Sequence, residues 1–346
     1  MLDIKKEGIV LEITTLDFES EAVLNPAILQ LNNDVHMFYR AVRKGNYSSI
    51  GYARFNGPLN IAERNETPVL SPISNAESHG IEDPRIVEIE NMYYLSYTAY
   101  DGLNALGSYA TSSDLRHFER KGILAPQLSY ETFTRLAQCS GPLNQKYARF
   151  NENTNNHKYP TKTNLVWDKN LVFFPRKINN KFYFLHRIKP DIQIASIANL
   201  NELNNDFWEN QILHLHDNIL LSSVFDHESS YIGAGCPPIE TEKGWLLIYH
   251  GVHDTANGYV YSACACLLSL EEPIHEIARL PYPLIKPALE WEINGEVNNV
   301  IFPTGTALFN ETLYIYYGAA DKCIACASVN IHELINTLIK YQSYDK

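Results

Sequence analysis

One apolar-aromatic strand pattern recurs five times along the chain. A recurring unit restricts the fold more than any single motif, because each copy must bury its apolar face against a neighbour. The copies read Met37-Phe38-Tyr39-Arg40, Leu95-Ser96-Tyr97-Thr98, Phe184-Leu185-His186-Arg187, Ile248-Tyr249-His250-Gly251 and Ile315-Tyr316-Tyr317-Gly318. Upstream of each, a proline opens a strand: Asn25-Pro26, Asp83-Pro84, Phe174-Pro175, Pro237-Pro238 and Phe302-Pro303. Downstream runs a third strand of small and apolar residues, as in Ile50-Gly51-Tyr52-Ala53 and Cys323-Ile324-Ala325-Cys326. Helical stretches long enough for parallel crossovers are lacking, so the units are antiparallel. Radial repetition of such sheets leaves few exposed edges. The pattern therefore predicts an all-β chain folded as a five-bladed β-propeller, a single domain over 1–346. A pair of β-sandwiches would not repeat one three-strand template in this way.

Two segments depart from the template. The polar, Asn-rich stretch at about 128–162 reads as an insertion, a loop over one face, and apolar residues at helical spacing predict a short closing helix at about 331–340. A net charge of -12 argues against nucleic acid and anionic membrane as partners, since both demand clustered cations. The N-terminus lacks the apolar core of a signal peptide, and no long apolar run appears, so the expected location is cytoplasmic. The cysteines form no framework of paired spacings and read as reduced thiols. In Cys323-Ile324-Ala325-Cys326 the thiols point to opposite faces of a strand, so no metal site is expected. Oligomeric state stays open, a homo-oligomer included.

Equivalent positions of the units should face one axial cavity. The residues before the opening prolines are Asn25, Asp83, Phe174, Pro237 and Phe302, of which only Asp83 is ionisable. The polar strand ends supply Arg40 and Arg187, and the turns beyond place Asp101, Asp191, Asp254 and Asp321 at similar positions. An acid held by a proline, a ring of Arg and His, and several Asp and Asn side chains describe a pocket for a polyhydroxylated ligand, phosphorylated or not. Arg40 and Arg187 paired with turn aspartates to stitch neighbouring units is the plain structural alternative.

These residues, with Gly80-Ile81-Glu82-Asp83-Pro84-Arg85, Lys169-Asn170, Gly233-Ala234-Gly235-Cys236-Pro237-Pro238, Gly244-Trp245-Leu246-Leu247-Ile248-Tyr249-His250-Gly251 and Tyr316-Tyr317-Gly318-Ala319-Ala320-Asp321, give a chain that resembles glycoside hydrolase family 130, the β-mannoside phosphorylases and related β-mannosidases. The resemblance implies inversion at the anomeric carbon, with Asp83 as the catalytic acid passing its proton through a sugar hydroxyl. It also implies inorganic phosphate as co-substrate, bound at the positions matching Lys169, Arg187, Tyr231 and His250, and no other cofactor. The family's phosphorylases commonly carry a lysine in the stretch matching Tyr231, where this chain offers a neutral hydroxyl.

The expected function is an inverting β-mannoside phosphorylase that cleaves a short β-mannoside with phosphate to α-mannose 1-phosphate, with Asn25, Arg40 and Asp321 holding the donor sugar. A hydrolase using water is the alternative, for which Glu228 is the candidate base, because water attack needs a second carboxylate. A non-catalytic sugar-binding propeller is the third reading. The acceptor sugar and linkage depend on loops such as 128–162.

Overall fold

The computed structural model describes residues 2–151 and 163–342. The chain is all-β, with several sheets, none closed on itself. Strand β1 (Lys5–Leu11) belongs to the last sheet. Four antiparallel strands follow: β2 (Ala22–Leu31), β3 (Asp34–Arg43), β4 (Tyr47–Asn56) and β5 (Asn60–Arg64). A second group comprises β6 (Gly80–Ile89), β7 (Met92–Tyr100), β8 (Ala105–Ser112) and β9 (Glu119–Ile123), joined to the first by the parallel pair Ser48 and Gly80. The third is β10 (Lys169–Phe173), β11 (Phe182–Arg187), β12 (Ile192–Ile197) and β13 (Ile219–Leu221). The fourth is β14 (Tyr231–Ala234), β15 (Ile239–Thr241), β16 (Gly244–Thr255), β17 (Gly258–Leu268) and β18 (Glu276–Arg279). The fifth is β19 (Ile301–Phe309), β20 (Thr312–Ala319) and β21 (Cys323–Asn330), completed by β1 from the other end of the chain.

Strand alternation explains how the groups pack. Successive side chains point to opposite faces, so Phe38 enters a core shared with Ile86, Leu95 and Tyr97 of the second group, while Met37 and Tyr39 enter one shared with Tyr316 and Ile324 of the fifth. Val87 and Ile89 meet Phe173 and Phe184 of the third group. Trp245 and Leu247 face Val172 and Leu185, and Leu246 and Ile248 face Ile301 and Ile315. Each group thus shares a core with the next, and the fifth shares one with the first.

A buried glutamate ties the strands of four groups together. Glu19 accepts from Tyr39 (2.6 Å) and pairs with Arg64 (2.8 Å). Glu77 accepts from Tyr97 (2.9 Å), Arg120 (3.3 Å) and the Ile73 amide (3.0 Å). Glu228 accepts from Tyr249, from Arg279 (3.4 Å) and from the Val224 amide (2.9 Å). Glu292 accepts from Tyr317 (2.7 Å), the Ala288 amide (2.8 Å) and Lys6 of β1. In the third group Asp168 and His186 meet instead, at 2.6 Å.

Between β9 and β10 lie α1 (Tyr130–Ala137) and α2 (Gln145–Asn151), and between β12 and β13 lie α3 (Asn205–Leu213) and α4 (Leu215–Asn218). Phe133, Tyr147, Ile212 and Leu215 form a separate small core. The described part of the stretch read as a loop therefore carries two helices. Its Asn-rich portion, residues 152–162, lies outside the described residues. The short α5 spans Glu290–Ile293, and α6 spans Ile331–Ile339, its first turn capped by Asn330, which accepts from the Glu333 amide at 3.0 Å. Among the described residues no helix is long and apolar enough to cross a membrane. The cysteines are free, all buried except Cys139; Cys323 and Cys326 enter different cores.

Candidate active site

β-Bulges create the site. In β2, Leu24 pairs with Arg40 and Ala27 with Phe38, leaving Asn25-Pro26 as the extra residues. In β6 the bulge is Asp83-Pro84, and in β10 it is Asn170-Leu171. A bulge re-aims the side chain it carries. Asn25, Asp83 and Asn170 share φ values of 50°, 50° and 54°, and all three line one cavity of about 200 Å³. The unit-by-unit alignment on prolines is therefore corrected. Phe174 is buried in the core between the third and fourth groups, and the third-group counterpart of Asp83 is Asn170. In β14 the register runs unbroken through Gly233, which stands opposite His250 as Leu24 stands opposite Arg40 and Lys169 opposite Arg187, and a Cβ there would come 2.5 Å from the imidazole and 2.8 Å from Arg187.

Asp83, Asn25, Arg40 and Asp321 converge on one side of the cavity. The Asn25 amide donates to Asp83 at 2.7 Å, and Arg40 reaches Asp83 at 3.4 Å and Glu82 at 2.9 Å. Lys169 donates to the other Glu82 oxygen at 3.0 Å. Burial pushes the Asp83 carboxyl up, but Arg40, Lys169 and the Asn25 amide outweigh it and hold the group well below the usual carboxylate range. Asp321 goes the other way. Burial lifts it to about 6, against the pull of Arg40 and with a further push from Asp83. The two carboxyls thus have pKa values driven apart, the arrangement that separates roles at a site.

The other side is cationic and aromatic. Arg187, Lys189, Tyr231 and Tyr261 line it, the two tyrosine hydroxyls 2.5 Å apart. His250 is fully buried behind this wall, its ring 4.3 Å from that of Phe302. Burial first, then Arg187 and Arg85, depress its pKa well below the usual value, so it is neutral. Arg187 has only donors, so its contact with His250 Nε2 at 3.2 Å is a donation from the guanidinium. His250 therefore orients Arg187 and does not itself line the cavity.

Arg40 does not pair with a turn aspartate, nor does the Arg187 guanidinium. Of those aspartates only Asp321 lines the cavity. Asp101 caps its own turn through the Leu103 and Asn104 amides, Asp191 accepts from Tyr147 and Asp254 pairs with Arg149. Glu228 is engaged by Tyr249, Arg279 and backbone amides in the fourth copy of a structural arrangement, so it is not a free base. His227 and Cys264 lie beside it, but burial pushes the Cys264 thiol well up, so it does not offer a thiolate.

The family profile described as beta-1,4-mannooligosaccharide phosphorylase, Glyco_hydro_130, matches residues 7–340. The chain belongs to glycoside hydrolase family 130. It is 33% identical over 329 residues to a 1,2-beta-oligomannan phosphorylase of Thermoanaerobacter sp. (strain X514), covering 92% of this chain and 93% of that one. It is 32% identical to a beta-1,2-mannobiose phosphorylase of the same organism, covering 90% and 91%. The solved beta-1,2-mannobiose phosphorylase of Listeria innocua, in complex with beta-1,2-mannobiose, superposes with a TM-score of 0.75 at 23% identity, covering 97% and 99%. This family-130 chain also carries cavity residues that the strand template does not point to. Lys189 lies beyond the template's last residue, Trp167 falls outside it, and Tyr261 opens the third strand of the fourth unit, whose positions the template reads only as small and apolar. Asn170 has both amide atoms buried without a partner, and its kinship with Asn25 is visible only in the bulge.

Proposed function

We propose that the protein is an inverting β-mannoside phosphorylase built as a five-bladed β-propeller, converting a short β-mannoside and inorganic phosphate to α-mannose 1-phosphate and a shortened acceptor. The cyclic order of the five shared cores supports the propeller. The division of the cavity into a side with Asp83 and Asp321 and a side with Arg187, Lys189 and Tyr231 carries the chemical reading. A phosphate nucleophile needs charge-assisted donors and no general base, and the cationic side offers donors with no lining carboxylate among the described residues.

In this reading Asn25, Arg40 and Asp321 hold the donor mannose, and phosphate sits against Lys169, Arg187 and Tyr231, with His250 setting the Arg187 rotamer. A phosphate oxygen forms the new bond to the anomeric carbon while the bond to the glycosidic oxygen breaks. The proton held by Asp83 passes through a sugar hydroxyl to that leaving oxygen. Without phosphate Asp83 is ionised, because Arg40, Lys169 and Arg85 surround it. Phosphate takes up the charge of Lys169 and Arg187, which raises the affinity of Asp83 for the proton it must deliver.

In-line displacement puts the leaving sugar opposite the nucleophile. On that side a second cavity of about 450 Å³ adjoins the first through Arg40, Val297 and Asp321, with Glu21, Asn46 and Glu296 on its walls. We assign the acceptor to it. The named activities of the Thermoanaerobacter relatives favour a β-1,2 linkage. Incubating β-1,2- and β-1,4-mannobiose with and without phosphate tests the whole reading: mannose 1-phosphate must form only when phosphate is present. Free mannose released at an equal rate in phosphate-free buffer would instead establish the hydrolase.

A further inference from the structure

Lys189 stands two residues past Arg187, beyond the end of β11, and lines the same cavity. Its ammonium lies 3.9 Å from the centre of the Tyr231 ring and 5.4 Å from that of Phe150, the latter delivered by the end of α2. The Arg187 guanidinium lies 5.5 Å from the same Tyr231 ring. Burial first, then Arg187 and Lys169, press the Lys189 ammonium well below the usual lysine range. Both charged neighbours are cations, and among the described residues no carboxylate pairs with it. Aromatic faces recover part of the cost of burying a cation, but two adjacent cations on one cavity wall are a costly arrangement unless an anion joins them.

We propose that Lys189 is a phosphate-binding residue, acting with Arg187 on the attacking phosphate and held in place by the faces of Tyr231 and Phe150. Tyr231 lines the same cavity with a neutral hydroxyl, its pKa raised by burial. Lys189 reaches the same part of the cavity from the neighbouring group of strands. The two cations divide the work by their chemistry: Arg187 presents a planar fork for two phosphate oxygens, and Lys189 a point charge with rotatable donors. The end of α2 takes part through Phe150, whose ring is the second aromatic face near the ammonium. This inference rests on the phosphorylase reading.

The test compares the parent enzyme with Lys189→Met and Lys189→Arg. Initial rates are recorded against phosphate and against the mannoside separately, and the phosphate Kd is measured by calorimetry without the sugar. Lys189→Met should raise both the phosphate KM and the phosphate Kd by at least about tenfold, the effect of losing one charge-assisted hydrogen bond, and leave the mannoside KM unchanged. Lys189→Arg, which keeps the charge, should retain most of the phosphate affinity and provides the comparison if the methionine variant does not fold, with Lys189→Gln as the neutral partner. An unchanged phosphate KM and Kd in the neutral variant would overturn the role of Lys189 and leave a phosphate-dependent parent enzyme untouched. A parent enzyme indifferent to phosphate would overturn the phosphorylase reading and this inference together.

Discussion

Asp83 and Asp321 show how the same residue type is driven in opposite directions within one cavity. Asp83 has Arg40, Lys169 and the Asn25 amide around it, which keep it ionised. Asp83→Asn keeps the size of the side chain but has no acidic proton to give. It should lower kcat on an unactivated mannoside by about 10²- to 10⁴-fold while the melting curve stays cooperative; a near-normal rate would remove Asp83 from the mechanism. Asp321 is raised to about 6 from an ordinary value of 3.8, so the folded protein holds this proton more tightly than the unfolded chain does. Stability from this group is therefore greatest at low pH and declines as pH rises through that window. Sugar binding runs the other way, because an ionised carboxylate accepts two hydroxyls and a protonated one gives up part of that capacity. The kcat/KM for the mannoside should accordingly rise through a pH of about 6, and Asp321→Asn should lose that limb at identical phosphate concentrations. A limb retained in the variant would assign the titration elsewhere.

At the scale of strands and helices, the bulges decide which side chains reach the cavity, and Gly233 leaves the room that His250 and Arg187 fill. Gly233→Ala would drive a methyl into His250 and Arg187, so it should raise the phosphate KM by about tenfold or more with the mannoside KM little changed, read from the same rate surface. Glu228→Ala leaves Arg279 paired with Glu276 but removes the acceptor of the buried Tyr249 hydroxyl and of the Val224 amide, and should cost about 1–3 kcal/mol of stability, measured by urea denaturation. Its folded fraction should remain phosphate-dependent, whereas loss of cleavage in a well-folded variant would return Glu228 to the candidate bases. These elements also explain what the sequence discloses. The second strand of each unit is legible because its alternation serves two cores at once, as Met37-Phe38-Tyr39 does. Proline marks the bulge in β2 and β6, where Asn25 and Asp83 are found directly. In β10 the bulge position falls at Asn170, with no proline beside it, and β14 runs in unbroken register through Gly233, so alignment on Pro175 and Pro238 picks out Phe174 and Pro237, which do not line the cavity. The helices α1 to α4 are hidden because each is only one or two turns long and gains its stability from packing on the others rather than from its own pattern.

Over the whole molecule, the cavity depends on bringing the first and fifth groups together, since Asn25 and Arg40 come from one and Asp321 from the other. The cyclic order was legible only as five copies of a template; that the chain's first strand completes the last sheet was not, because β1 carries no copy of it. β1 pairs along β21, from Lys5 with Ser328 to Leu11 with Ile324, and its Lys6 supplies the cation for buried Glu292. Glu292 in turn holds Tyr317 on β20, the strand that leads through Ala319 and Ala320 to Asp321. Removing Lys5–Leu11 would expose the hydrogen-bonding edge of β21 and leave Glu292 without its ion-pair partner. An unpaired edge invites association, and a buried charge stripped of its partner costs about 3–5 kcal/mol. The truncated chain should therefore melt well below the intact one and elute as aggregate in size-exclusion chromatography. Lys6→Met, which keeps the strand and removes only the charge, should lower the melting temperature and leave the protein soluble. Because Asp321 is positioned through this sheet, Lys6→Met should also weaken mannoside binding more than phosphate binding. A truncated chain that melted like its parent and kept its mannoside KM would mean that the fifth sheet holds its shape without β1.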